Sequence, residues 1–206
     1  MFNLKAAAAG ALFLALTAVA QANTNFAADG SFSEGASAGA FSTVGAGGNI
    51  GAWNVTSGSV DLIGSYWTAP TGYSIDLDGS SPGAISQDLS LATGGYLLTF
   101  SLAGNPDGGD ATKSVEVSVD GVTRDFTFNT TGQQKNSMGW VTESIWFTNS
   151  DPTTTLSFTS KDAGGPYGAA LADISVTAVP EPESMALLLA GLGLVGVMAS
   201  RRKRGV

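Results

Sequence analysis

Carboxylates and aromatic rings are the groups in this chain able to do chemistry, because its 206 residues include no His and no Cys. Asp76-Leu77-Asp78-Gly79 reads as a strand end, where a period of two puts Asp76 and Asp78 on one face. Asn105-Pro106-Asp107-Gly108-Gly109-Asp110 reads as a loop of spaced oxygen ligands. It lacks the terminal Glu and helices of an EF-hand, and turn chemistry explains Asn, Asp and Gly equally well. Aromatic rings can stack on the apolar face of a pyranose while Asn, Asp and Gln bind its hydroxyls. Trp53, Tyr66, Trp67, Tyr73, Trp140 and Trp146 supply rings. Tyr66 and Trp67 follow Ser65 and precede Thr68-Ala69-Pro70, which places them at a strand end or loop, with Trp67 as the expected stacking residue. The expected ligand-binding set is Trp67, Tyr66, Asp76, Asp78 and Trp140. Trp53 and Trp146 lie inside strand patterns and are expected in the core.

The same inventory excludes most catalysis. Without His there is no hydrolase triad and no His-ligated zinc, and without Cys no thiolate nucleophile, disulfide or iron–sulfur centre. No Gly-x-Ser-x-Gly elbow is present, and the Gly-rich run at 45–51 is not followed by Lys-Ser/Thr or a helix. Glu116 and Glu143 could serve glycoside hydrolysis only if paired across a sugar, and nothing in the sequence pairs them. The expectation is a non-enzyme.

Two terminal segments stand apart from the domain that carries these residues. Residues 1–22 read as a signal peptide: Lys5, then an apolar run from Ala6 to Ala20, then the small-residue pattern Ala20-Gln21-Ala22. Residues 180–206 read as Pro180-Glu181-Pro182, then 16 uncharged, mostly apolar residues from Met185 to Ser200, then Arg201-Arg202-Lys203-Arg204. As a helix the apolar stretch would be about 24 Å long, extended by its flanks toward the ~30 Å of a hydrocarbon core. The basic cluster would remain cytoplasmic. This ending resembles the PEP-CTERM protein-sorting signal of Gram-negative bacteria. The resemblance implies Sec-dependent export, processing by an integral-membrane exosortase at the Pro180-Glu181-Pro182 motif, and membrane contact through the C-terminal helix until then. The expected location is the cell envelope, surface or extracellular matrix, often with exopolysaccharide or biofilm.

The interval 23–179 is the expected single domain. Its basic residues are Lys113, Arg124, Lys135 and Lys161, against fifteen acids, the seventeen of the chain less Glu181 and Glu183. The domain therefore carries about −11, against −8 for the whole chain. That charge excludes nucleic acid and disfavours other polyanions. No amphipathic helix is visible. Ten short strands are expected, at 51–56, 59–63, 73–77, 84–89, 95–103, 113–119, 122–129, 139–148, 154–159 and 171–178. Val115, Val117 and Val119 alternate with Ser114, Glu116 and Ser118, and Asp120-Gly121 predicts a type I′ hairpin turn. Ala36 to Gly48, rich in Gly, Ala and Ser, is expected to be loop. The pattern predicts an all-β sandwich of jelly-roll type.

Across 25–179 several motifs recur in order: Asp29-Gly30-Ser31-Phe32-Ser33-Glu34, Ile50-Gly51-Ala52-Trp53-Asn54-Val55, Gly58-Ser59-Val60-Asp61-Leu62-Ile63, Ser74-Ile75-Asp76-Leu77-Asp78-Gly79, Leu102-Ala103-Gly104-Asn105-Pro106-Asp107 and Leu171-Ala172-Asp173-Ile174-Ser175-Val176. These resemble the choice-of-anchor C family of bacterial surface proteins, which is related to a plant cell-wall group. Asp29 replaces the usual Asn, and Ser33 is an extra residue before Glu34. The resemblance implies a galactose-binding-like sandwich. It also implies a structural calcium ion between the first and last strands, with Glu34 and Asp173 in the ligand positions. The expected function is a surface protein that binds exopolysaccharide or another glycan; the alternative is a self-associating matrix protein without a sugar ligand.

Overall fold

The computed structural model describes residues 24–34, 39–180 and 189–195. The expected signal peptide, Glu181, Pro182 and Arg201–Arg204 lie outside the described residues. Residues 189–195 are helical and exposed at Leu189, Leu192, Leu194 and Val195. No helix among the described residues is long and apolar enough to cross a membrane.

Among the described residues twelve strands run in chain order: β1 (Phe41–Gly45), β2 (Asn49–Ile50), β3 (Trp53–Ser57), β4 (Ser59–Ile63), β5 (Ser74–Asp76), β6 (Ala84–Ser90), β7 (Gly94–Gly104), β8 (Thr112–Val119), β9 (Val122–Asn129), β10 (Val141–Asn149), β11 (Thr153–Ser160) and β12 (Ala169–Val179). They form two six-stranded sheets, β1-β4-β5-β12-β7-β10 and β2-β3-β6-β11-β8-β9. All strand pairs are antiparallel. The fold is thus a two-sheet β-sandwich, and alternation explains it. Val115, Val117 and Val119 point inward with no exposure, while Ser114, Glu116 and Ser118 face outward. Asp120 and Gly121 take φ of 46° and 74°, the positive values that a type I′ turn requires. Between the sheets, Phe100 of β7 meets Phe158 of β11 edge-to-face at 5.2 Å, and Trp53 meets Phe158 at 6.0 Å. Edge-to-face is the favoured geometry because the positive ring edge faces the negative ring face.

The first described residues run beside the last strand. Phe26 N donates to Val176 O at 2.8 Å, and Ile174 N donates to Gly30 O at 2.9 Å. Gly30 is required there, since an ideal Cβ would lie 1.9 Å from Ile174 O. The pairing of β12 with β7 is interrupted between Ala172 and Ser175, where Asp173 adopts φ of 51°.

Three sequence expectations need correction. The stretch from Ala36 to Gly48 was expected to be loop, but Phe41–Gly45 is β1, paired along its length with β4. Its apolar signal is weak because it is a sheet edge with Phe41 turned outward. Trp146, expected in the core, is 58% exposed because the strand register points it away from Ile145 and Phe147, which are buried. Asp76 and Asp78 do not share a strand face. β5 ends at Asp76, whose Oδ1 accepts from Asp78 N at 3.0 Å, and this turn redirects the chain.

Candidate functional site

Register brings polar groups of three strands, β1, β4 and β5, into one row beside β12 on the outer face of the first sheet. Thr43 of β1 is opposite Asp61 of β4, Asp61 is opposite Asp76 of β5, and Asp76 is opposite Ala170 of β12. The row forms the floor of a cleft of about 400 Å³, with Phe41, Tyr66 and Tyr167 among its walls. That volume falls in the range of small-molecule sites. Asn105, just past β7, joins the floor. Gly79 also lines it, where an ideal Cβ would come within 3.1 Å of Asp61 Oδ1 and of Thr43 Cγ2. A side chain at that position would press on the floor from above.

The floor is rigid. Asp76 Oδ2 accepts from Asn105 Nδ2 at 2.8 Å, and its Oδ1 accepts from Gly168 N at 2.9 Å as well as from Asp78 N. Burial nonetheless pushes the Asp76 carboxyl up to about 8, against the opposing effect of those three hydrogen bonds. Asp61 Oδ1 accepts from the Thr43 hydroxyl at 2.5 Å. Burial raises the Asp61 carboxyl too, and the Thr43 bond only partly offsets this.

The wall is clamped from loops distant in sequence. The Tyr66 ring packs edge-to-face on Phe41 at 5.3 Å. Its hydroxyl donates to Asp107, which also pairs with Lys135 at 2.8 Å. For Asp107, slight burial acts upward, but the bonds from Lys135 and Tyr66 outweigh it and lower the carboxyl. Asn105 Oδ1 accepts from Asp107 N at 3.0 Å, so the 105–110 loop is built by turn chemistry around Asn105.

Of the sequence-derived ligand set, Tyr66, Trp67 and Asp76 line this cleft together. Trp67 offers little stacking surface: it is 4% exposed, and its Nε1 donates to Ser74 Oγ at 2.8 Å. Trp140 lies outside the lining, partly buried, with Nε1 donating to Thr68 O at 2.9 Å. Asp78 is fully buried, away from the cleft. Burial pushes it to about 6; the Ser160 hydroxyl and then Lys113 oppose the rise, and Asp162 adds to it. Phe41, Thr43, Asp61 and Tyr167 were not singled out by sequence. Asp61 and Thr43 gain meaning only from cross-strand register, which a single sequence does not print.

Glu34 and Asp173 line a second, shallow hollow of about 420 Å³, together with Asp29. Asp29 Oδ1 accepts from Glu34 N at 3.1 Å, whereas its Oδ2 is buried with no hydrogen-bond partner. Asp173 accepts from the Thr71 and Ser101 hydroxyls. Among the described residues no group of three or more acids is disposed to hold a metal ion. Asp29, with its orphan oxygen, is the feature here most compatible with a cation, and sequence reading had marked only its neighbours.

The described domain is an antiparallel two-sheet β-sandwich with an acid-floored cleft. The family described as "Protein of unknown function (DUF642)" matches residues 24–177, and the chain belongs to it. The PEP-CTERM protein-sorting motif matches residues 178–203, which places the protein outside the cytoplasm at the cell surface as an exosortase substrate. Halomucin of Haloquadratum walsbyi is 32% identical over 138 residues, 65% of this chain; the chain spans about 1% of that relative's length. Among solved structures, TmCBM61 in complex with β-1,4-galactotriose is 18% identical with a TM-score of 0.48, covering 76% of this chain and 99% of that one. The CBM35 of Paenibacillus barcinonensis is 18% identical with a TM-score of 0.44, covering 67% of this chain and 99% of that one.

Proposed function

We propose that this protein is a non-catalytic surface protein that holds a glycan in the cleft between β1, β4, β5 and the loops at 65–68, 105–107 and 166–167. One observation carries the reading: fixed carboxyl and carboxamide groups on the floor stand beside the rings of Phe41, Tyr66 and Tyr167. A sugar needs both, apolar faces to cover its C–H groups and converging polar atoms for its hydroxyls. Before processing, the 185–200 stretch holds the domain to the membrane. A glycan array probed with the full-length protein and with Phe41→Ala and Tyr167→Ala variants tests the proposal. Binding that both substitutions weaken supports it; binding unaffected by either puts the sugar elsewhere.

A structural calcium ion at the Asp29, Glu34 and Asp173 hollow accompanies this reading, favoured by the orphan Asp29 oxygen. Calcium takes hard oxygen ligands, and the hollow supplies the carboxylates of Asp29, Glu34 and Asp173. Its role would be to fasten the first segment to β12. Self-association is the second functional reading. Trp146 favours it, exposed beside Val179 and over the bare backbone of Gly95. Concentration-dependent sedimentation of wild type and Trp146→Ser separates it from glycan binding.

A further inference from the structure

Trp146 is set apart from the other three tryptophans. Trp53, Trp67 and Trp140 donate their indole N–H groups to Asp29 O, Ser74 Oγ and Thr68 O. Trp146 is 58% exposed, and among the described residues its Nε1 meets no acceptor. Its ring lies over Gly95, where an ideal Cβ would come within 3.4 Å of Cζ2. Register builds the patch around it, since Gly95 is opposite Thr148 on β10 and Val179 on β12. With Val179 and Pro180, the ring lines a hollow of about 260 Å³ that no charged residue borders.

This patch sits where the folded domain gives way to the tail. β12 starts at the cleft, where Ala170 is opposite Asp76, and ends in the patch at Val179. Its eleven residues separate the two ends by roughly 33 Å, at ~3.3 Å per step. Past Pro180, only Glu181-Pro182-Glu183-Ser184 precede the apolar stretch from Met185 to Ser200. The steps from Pro180 to Met185 reach at most about 17 Å, at ~3.4 Å each. So short a lead turns the Trp146 end toward whatever surface that stretch enters, and the cleft away from it.

An indole joins an apolar ring to an N–H donor, the combination that settles tryptophan between headgroups and acyl chains. The uncharged patch suits neutral lipid, and a domain of about −11 disfavours anionic headgroups. A second copy would need more surface: a stable pair buries about 800 Å² a side, whereas a whole tryptophan covers roughly 150–250 Å². Resting on the reading that residues 185–200 enter a bilayer, we propose that the Trp146 end of the sandwich docks on its zwitterionic headgroup layer until processing frees the domain. The docked domain holds its cleft outward.

The test is tryptophan emission from the full-length protein reconstituted in phosphatidylcholine vesicles, with and without lipid brominated high on the acyl chain. All four tryptophans lie between residues 53 and 146, so only the domain reports. Bromine should lower wild-type emission by on the order of a quarter, the share of one tryptophan in four, and leave Trp146→Phe unchanged. Flotation of the same vesicles reads attachment separately. Attached protein without a bromine effect overturns the docking and leaves the membrane reading standing. Protein that fails to float overturns both. An equal effect in Trp146→Phe overturns the docking by moving the contact to another ring. Shielding of wild type from acrylamide that grows with protein concentration in detergent, without bromine quenching in vesicles, gives the patch to a second copy and overturns it too. The wild-type response to bromine is read without any variant, so a poorly folding Trp146→Phe does not leave the proposal untested.

Discussion

The Tyr66 hydroxyl donates to Asp107 Oδ2 at 2.5 Å, and the Lys135 ammonium shares that same oxygen while standing over the Tyr66 ring. A wall residue of the cleft is therefore oriented by a carboxylate that does not line it. Asp107→Ala removes the carboxylate that holds both Tyr66 and Lys135. The expected outcome is roughly tenfold weaker glycan binding, because an unclamped ring must be ordered on binding. Stability should change little, because solvent screens an exposed pair. Titration beside denaturant melts of the same preparation checks both halves.

Acid should stabilise the fold. Asp76 has an ordinary value of 3.8 unfolded and about 8 folded, so between these limits the native state holds a proton that the unfolded chain has released. Stability contributed by this group is complete below about pH 4, falls as pH rises and is lost above about pH 8. Asp78, at about 6, acts in the same sense over a narrower window. The melting temperature at about pH 5 should exceed that at about pH 8 by on the order of 5 °C. Asp76→Asn should flatten that difference; a melting temperature that climbs with pH would refute the assignment.

Two tryptophans should behave oppositely on truncation. Trp53 is fully buried, packs on Phe32 and Phe158, and donates Nε1 to Asp29 O at 3.1 Å. Trp53→Ala should destabilise by about 3–5 kcal/mol. Trp146→Ala, on the outer face, should stay within about 0.5 kcal/mol. Urea unfolding of both variants, compared at constant slope, decides the matter.

A calcium ion at the clasp would bind the folded form alone and raise its stability by mass action. Adding chelator should lower the melting temperature by a few degrees, and Asp29→Ala should remove that response. Identical melting curves with and without chelator would dismiss the ion.

Much of the sandwich could be read from the chain because its strands alternate. Ser59–Ile63 and Val122–Asn129 match β4 and β9 end to end. The Asp120-Gly121 turn has the backbone that its residues require. β1 escaped because one outward Phe in a run of small residues carries no alternation signal. The site was legible only where aromatics and acids cluster locally, as at Tyr66-Trp67 and Asp76. Thr43, Asp61 and Tyr167 come from separate segments, and only sheet register and the loop after β11 bring them together. Trp146 shows the complementary error: a large ring within a strand gives no hint of which face it occupies until the pairing of β10 with β7 is known.

β12 leads directly to Pro180 and the sorting motif. It is an interior strand, flanked by β5 and β7, with the segment from Asn25 to Gly30 running beside it. Tension applied through the proposed C-terminal membrane attachment would thus act along the length of an eleven-residue strand, loading its hydrogen bonds in shear rather than peeling them one by one. Asp76 on the cleft floor is opposite Ala170 of that same strand. A pull entering at the cleft would cross a single strand pair before reaching the tether, bypassing the second sheet entirely.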